Sequence, residues 1–104
     1  MSAEEKEYHL AAGKIKEADE SQMFGKPCYK INGKAFVSFF NGDMVFKLTD
    51  KAHKEALALK GAQLFDPSGK KRPMKEWVQV PFAHSAHWTK LAKEAFKYVN
   101  SMQA

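Results

Sequence analysis

Two Asn-Gly dipeptides constrain this chain more than any other feature, because they flank one short apolar run. They occupy positions 32–33 and 41–42, on either side of Ala35–Phe40. Both central residues of a type I′ turn need positive φ, which Asn and Gly tolerate best. The spacing predicts a meander of three consecutive strands with Ala35–Phe40 in the centre. Side chains alternate between the two faces of a strand, and apolar or aromatic residues occur at both sets of alternate positions here. Both faces of this strand are therefore expected to be covered.

The segments before and beside the meander have weaker local patterns. Helix formers from Ala3 to Lys16, interrupted by Gly13, predict a short helix. The stretch Ser21–Ile31 predicts one strand, either an edge strand or a kinked one, in which Gly25 and Pro27 mark a bulge or an edge position.

The second half of the chain predicts a helix, a hairpin and a closing helix. Thr49 or Asp50 caps a helix over 51–60, with Gly61 at its C′ position. Strands are expected at 62–66 and 74–80, around a loop at 67–73. The final helix is expected to begin near Ser85 and to carry one apolar stripe, which consists of Trp88, Leu91, Ala92, Ala95, Val99 and Met102.

These elements define an α+β domain with the order α-β-β-β-α-β-β-α and an antiparallel sheet of about five strands flanked by helices. The chain of 104 residues has the length of one domain, 1–104, and is rich enough in apolar residues to bury a core. The longest apolar runs are too short for a membrane-spanning helix, so no membrane contact is expected. An acidic amino terminus and the single cysteine, Cys28, favour a cytoplasmic location.

The net charge of +5 suggests an anionic partner, either nucleic acid or protein. Only one of the 17 basic residues is Arg, which argues against specific base recognition. The densest positive cluster is expected at the hairpin tip and consists of Lys70, Lys71, Arg72 and Lys75. These residues are the candidate contacts for nucleic acid or another anionic partner, the alternative being an ordinary solvated loop.

Catalytic and cofactor chemistry has little support in the sequence. Cys28 lies in a strand-like run without a signature that pairs it with a base. His84 and His87 have helical spacing, but two imidazoles do not complete a zinc site. None of the glycines forms a phosphate-binding motif. We therefore expect no catalytic residue, metal or cofactor, and a binding or regulatory module in place of an enzyme.

Two further hypotheses concern the surface of the domain. A small ligand could bind in a pocket between the last helix and the sheet, near Trp77 and Trp88. Exposed sheet edges, such as the stretch from Met23 to Ile31, could pair between identical chains and form a homodimer.

Several short motifs between residues 20 and 82 resemble the amino-terminal domain of the TfoX family, which includes a regulator of competence. The residues that carry the resemblance are Met23-Phe24-Gly25, Gly33-Lys34-Ala35-Phe36, Phe46-Lys47-Leu48, Phe65-Asp66-Pro67, Arg72-Pro73-Met74, Glu76-Trp77-Val78 and Val80-Pro81. A weaker similarity to the MmcQ/YjbR group rests on Gly25-Lys26-Pro27 and 33–36. The resemblance implies a sheet of about five strands flanked by helices, and it supplies no catalytic residues.

Overall fold

The computed structural model describes residues 2–23, 25–66 and 74–101. In this part of the chain the elements follow the order α-β-β-β-β-α-β-β-α, with a 3-10 helix before the last α-helix. The helices are α1 (Ala3–Ala12), α2 (Asp50–Leu57) and α3 (Trp88–Ser101), the strands are β1 (Asp19–Met23), β2 (Lys26–Ile31), β3 (Lys34–Phe40), β4 (Asp43–Lys47), β5 (Gln63–Phe65) and β6 (Met74–Val80), and the 3-10 helix is Phe82–His87.

The strands form one antiparallel sheet with the order β1-β2-β3-β4-β6-β5, which confirms the predicted α+β class. The described residues contribute six strands because the stretch Ser21–Ile31, expected to be one strand, folds into β1 and β2. Gly25 lies between these two strands with φ of 74°, so it reverses the chain where a bulge was predicted.

Both Asn-Gly dipeptides form the predicted turns. The φ values are 50° and 81° at Asn32 and Gly33, and 53° and 82° at Asn41 and Gly42. Two successive positive φ values are the signature of the type I′ turn, whose twist matches that of the flanking strands. The dipeptides therefore fix the β2–β3 and β3–β4 hairpins.

A β-bulge in β3 explains how this strand is covered on both faces. Tyr29 pairs with Val37 and Lys30 pairs with Ala35, which leaves Phe36 as the extra residue. Phe36 and Val37 consequently point to the same side of the sheet, where both are buried in one cluster. Ala35 and Phe40 pack in a different cluster on the other side.

The helices cover one face of the sheet. Tyr8 of α1, Ala56 of α2 and Trp88 of α3 share a buried cluster with strand residues such as Phe46 and Val78. The first and last helices also pack against each other. The predicted stripe of α3 is confirmed, since its buried residues are Trp88, Leu91, Ala92, Ala95 and Val99. Met102 lies outside the described residues.

The helix bounds differ from the predicted ones at three places. α1 ends at Ala12 instead of continuing to Lys16, because Gly13 is its C-cap. α2 ends at Leu57, and the Thr49 side chain at its N-cap makes no capping hydrogen bond. α3 starts at Trp88 and not near Ser85, because Phe82–His87 forms a 3-10 helix, whose backbone is non-helical at His84 with φ of −106° and ψ of 24°. No helix among the described residues is long and apolar enough to cross a membrane.

Candidate nucleic-acid interface

Each face of the sheet has its own buried cluster. We call the face that points away from the helices the outer face. Residues that pair across antiparallel strands share a face. Cys28, Ser38, Val45 and Gln79 pair in succession and form a row on the outer face. Its core consists of Val45, Phe65 and Trp77, with Ala35, Phe40 and Met74 packed around them.

The two tryptophans lie on opposite faces of the sheet. Trp77 belongs to the outer-face cluster, whereas Trp88 is fully buried in the cluster beneath the helices. The pocket predicted between the last helix and the sheet can therefore lie near Trp88 but not near Trp77, which faces away from the helices.

Three lysines point to the outer face. Lys26 and Lys30 alternate with Cys28 along β2, and Lys47 follows Val45 by two residues along β4. The Lys26 ammonium lies 4.8 Å from the centroid of the Phe40 ring. The Lys47 ammonium lies 6.0 Å from the Trp77 ring. Their aliphatic stems therefore cover aromatic surface while the charged ends stay near water.

The carboxylates near these lysines neutralise them only in part. Asp43 Oδ2 accepts a hydrogen bond of 2.8 Å from Gln79 Nε2, which draws this carboxylate into the sheet surface. The Lys47 ammonium is 4.0 Å from Glu76 Oε1. Asp19 stands opposite Lys30 in the strand register. The Lys47–Glu76 contact is long for an ion pair and its carboxylate is half exposed, so it contributes little and a phosphate can compete for the Lys47 ammonium.

Three of the four cations predicted at the hairpin tip, Lys70, Lys71 and Arg72, lie outside the described residues. The fourth, Lys75, is exposed in β6, and its carbonyl accepts a hydrogen bond of 2.8 Å from His53 Nε2. The strand residues on either side of the tip, Phe65 and Met74, both pack in the outer-face cluster. These two flanking residues therefore lie on the same face as Lys26 and Lys47.

Cys28 has the properties of an inert thiol. Its side chain is fully buried in β2, opposite Ser38. Burial raises the pKa of the Cys28 thiol, and the nearby Lys30 only partly opposes that shift. A thiol that stays protonated at neutral pH is a poor nucleophile.

The histidine pair does not form a metal centre with other described residues. The rings of His84 and His87 lie 6.3 Å apart, and His84 Nε2 bonds to the Lys60 carbonyl at 2.8 Å. Across residues 2–23, 25–66 and 74–101, no group of three His, Cys, Asp or Glu side chains is arranged to hold a metal ion.

Sequence reasoning missed a groove between α2 and α3. Its volume is about 490 Å³, and Ala52, Ala56 and Leu91 are among its apolar lining residues. The Lys90 ammonium reaches across it to within 3.9 Å of Glu55 Oε2. The small residues at 52 and 56 are a helical i, i+4 pair, which is the only sequence signal for this groove.

No protein-family model, curated protein or solved structure matches this chain. The resemblance to the TfoX amino-terminal family stays a prediction that rests on the sequence motifs.

Proposed function

We propose that this chain is a non-enzymatic module that binds nucleic acid through phosphate contacts made by its outer face. The observation that carries the proposal is the common location of its cations. Lys26, Lys30 and Lys47 lie on the outer face, and the described residues that flank the basic segment in sequence, Phe65 and Met74, pack on that face too. Lysines attached to one surface neutralise phosphates and release counterions on binding.

Phosphate contacts fit this face better than base contacts. Trp77 is only 6% exposed and Phe65 only 1%, so neither ring offers a free surface for base stacking. Lysine is a point charge without the planar fork with which Arg reads a guanine edge. Binding should therefore be independent of sequence and strongly dependent on salt.

A salt titration with paired variants tests the proposal. The affinity for a short duplex and for a single strand is measured by fluorescence anisotropy between about 50 and 200 mM salt. Removing two phosphate contacts with the double variant Lys26→Gln, Lys30→Gln is expected to weaken binding and to reduce the slope of log K against log salt by about two.

The matched control is the double variant Lys93→Gln, Lys97→Gln, because both lysines are exposed on α3, on the helical side of the domain. This variant removes two charges elsewhere and is expected to leave the salt slope close to that of the wild type. Equal slopes for the outer-face double variant and the control would contradict the proposed interface. Absence of any binding at low salt would contradict nucleic acid as the partner and leave an acidic protein surface as the alternative.

The family and location are part of the same proposal. The TfoX-like motifs support an amino-terminal-type domain of that family with a regulatory role, and the single buried thiol of Cys28 suits the reducing cytoplasm. A small-ligand site has weaker support, because the groove between α2 and α3 is bridged by an exposed ion pair and lined by charges of both signs.

A further inference from the structure

β1 is an open edge of the sheet. In the part of the chain that the structure describes, it pairs with β2 on one side and with no strand on the other. Such an edge presents backbone N–H and C=O groups that can accept another strand. The opposite edge, β5, has only three residues, whereas β1 has five.

β1 also has few of the features that normally protect an edge. Its sequence, Asp-Glu-Ser-Gln-Met, contains neither Lys nor Pro. Its pairing with β2 runs without a bulge from Asp19 to Met23. Asp19, Glu20 and Gln22 are exposed. The only protective charges are the two carboxylates, and both stand at one end of the strand.

We infer that β1 pairs with β1 of a second copy of this chain, antiparallel, across a two-fold axis at Ser21. This register uses all five residues of each strand. It places Glu20 of each copy opposite Gln22 of the other, so the acidic end of one strand meets the uncharged end of its partner. It also keeps the helices of both copies on the same side, and two six-stranded sheets become one.

The neighbouring registers are less favourable. Moving the axis to Glu20 sets Glu20 opposite its own copy, and like charges directly opposite each other are destabilising. Moving the axis to Gln22 leaves only three residues of each strand paired. The distribution of charge along β1 thus favours a second copy of itself in the central register.

Analytical ultracentrifugation of the full chain at several concentrations, without nucleic acid, measures the dimer. Position 22 of each copy faces Glu20 of the other copy, so each substitution changes two equivalent contacts. Gln22→Glu places a carboxylate opposite Glu20 at both contacts, whereas Gln22→Lys places an ammonium group there. We expect the dimer Kd to rise roughly 2- to 30-fold with Glu and to fall by a similar factor with Lys.

Gln63→Glu is the control, since Gln63 is exposed on the opposite edge strand and the substitution is chemically the same. It should leave the dimer Kd unchanged, and circular dichroism verifies that each variant is folded. A wild-type chain that stays monomeric at every concentration overturns the inference. Equal shifts for Gln22→Glu and Gln22→Lys, or a larger effect of Gln63→Glu, overturn it as well. None of these outcomes depends on nucleic-acid binding.

Discussion

Two tyrosines that pack against each other beneath the helices have opposite polar surroundings. The rings of Tyr8 and Tyr29 lie 5.4 Å apart. The Tyr29 hydroxyl shares a hydrogen bond of 2.7 Å with His9 Nδ1. The Tyr8 hydroxyl is fully buried and has no hydrogen-bond partner among the described residues. Burial of an unpaired hydroxyl costs free energy, whereas a satisfied one contributes to stability.

Removing each hydroxyl should therefore have opposite effects. Tyr8→Phe is expected to leave the free energy of unfolding unchanged or to raise it by up to about 1–3 kcal/mol, because an unsatisfied group is lost. Tyr29→Phe is expected to lower it by about 0.5–1.5 kcal/mol, because a hydrogen bond is lost. Urea unfolding followed by circular dichroism measures both values. A larger loss for Tyr8→Phe than for Tyr29→Phe would contradict this assignment.

The same residues predict a loss of stability at alkaline pH. Burial raises the pKa values of Tyr8, Cys28 and Tyr29, and a hydrogen bond to the Glu76 carboxylate raises that of Tyr98. Raised pKa values mean that the folded chain keeps protons that the unfolded chain releases near the ordinary values of about 8.5 for Cys and 10 for Tyr. These groups therefore give their full contribution to the free energy of unfolding below the ordinary pKa values. This contribution is lost progressively as the pH rises above them.

Free energies of unfolding measured from pH 7 to 11 check this expectation. The profile should be flat to about pH 8 and then decline. Tyr8→Phe should decline less steeply than the wild type, because the buried hydroxyl that resists ionisation is gone. A profile of Tyr8→Phe parallel to that of the wild type would refute the contribution of Tyr8.

At the scale of elements, the sequence predicts those turns and helices that depend only on residues close together in the chain. The Asn-Gly turns and the stripe of α3 are confirmed because positive φ and helical spacing are properties of a few neighbouring residues. The split of Ser21–Ile31 was missed, because a single Gly25 without Asn before it is also compatible with a bulge. The bulge at Phe36 could not be predicted, since the apolar run Ala35–Phe40 does not distinguish the two faces of the sheet.

Two glycines with positive φ allow the cost of backbone strain to be measured apart from the cost of a steric contact. Gly33 has φ of 81° and open space where a Cβ would stand, whereas a Cβ on Gly61, with φ of 88°, would lie 3.2 Å from Pro81 Cγ. Gly33→Ala should cost about 1–2 kcal/mol through its backbone alone. Gly61→Ala should cost more, because Pro81 must also shift. Chemical denaturation measures the free energy of unfolding of both variants. Equal losses of stability would show that Pro81 shifts at no cost.

At the scale of the whole molecule, the candidate site depends on contacts that the sequence does not display. Lys70, Lys71, Arg72 and Lys75 lie within six consecutive residues, so this cluster is visible in the sequence. Lys26 and Lys47 are far apart along the chain and come to one face only through the pairing of strands β2, β3 and β4. Long-range strand pairing thus creates the part of the interface that local patterns could not reveal.

The packing of α1 against α3 has a consequence for synthesis. Tyr8 leaves the ribosome before any strand of the sheet, but the helix that closes its cluster, Trp88–Ser101, comes after every strand. The part of the inner face that α3 covers therefore stays exposed on the nascent chain until α3 has emerged, although α1 and α2 are already made. This domain completes its core only with its last helix, and until then the growing chain exposes apolar surface of the kind that chaperones bind.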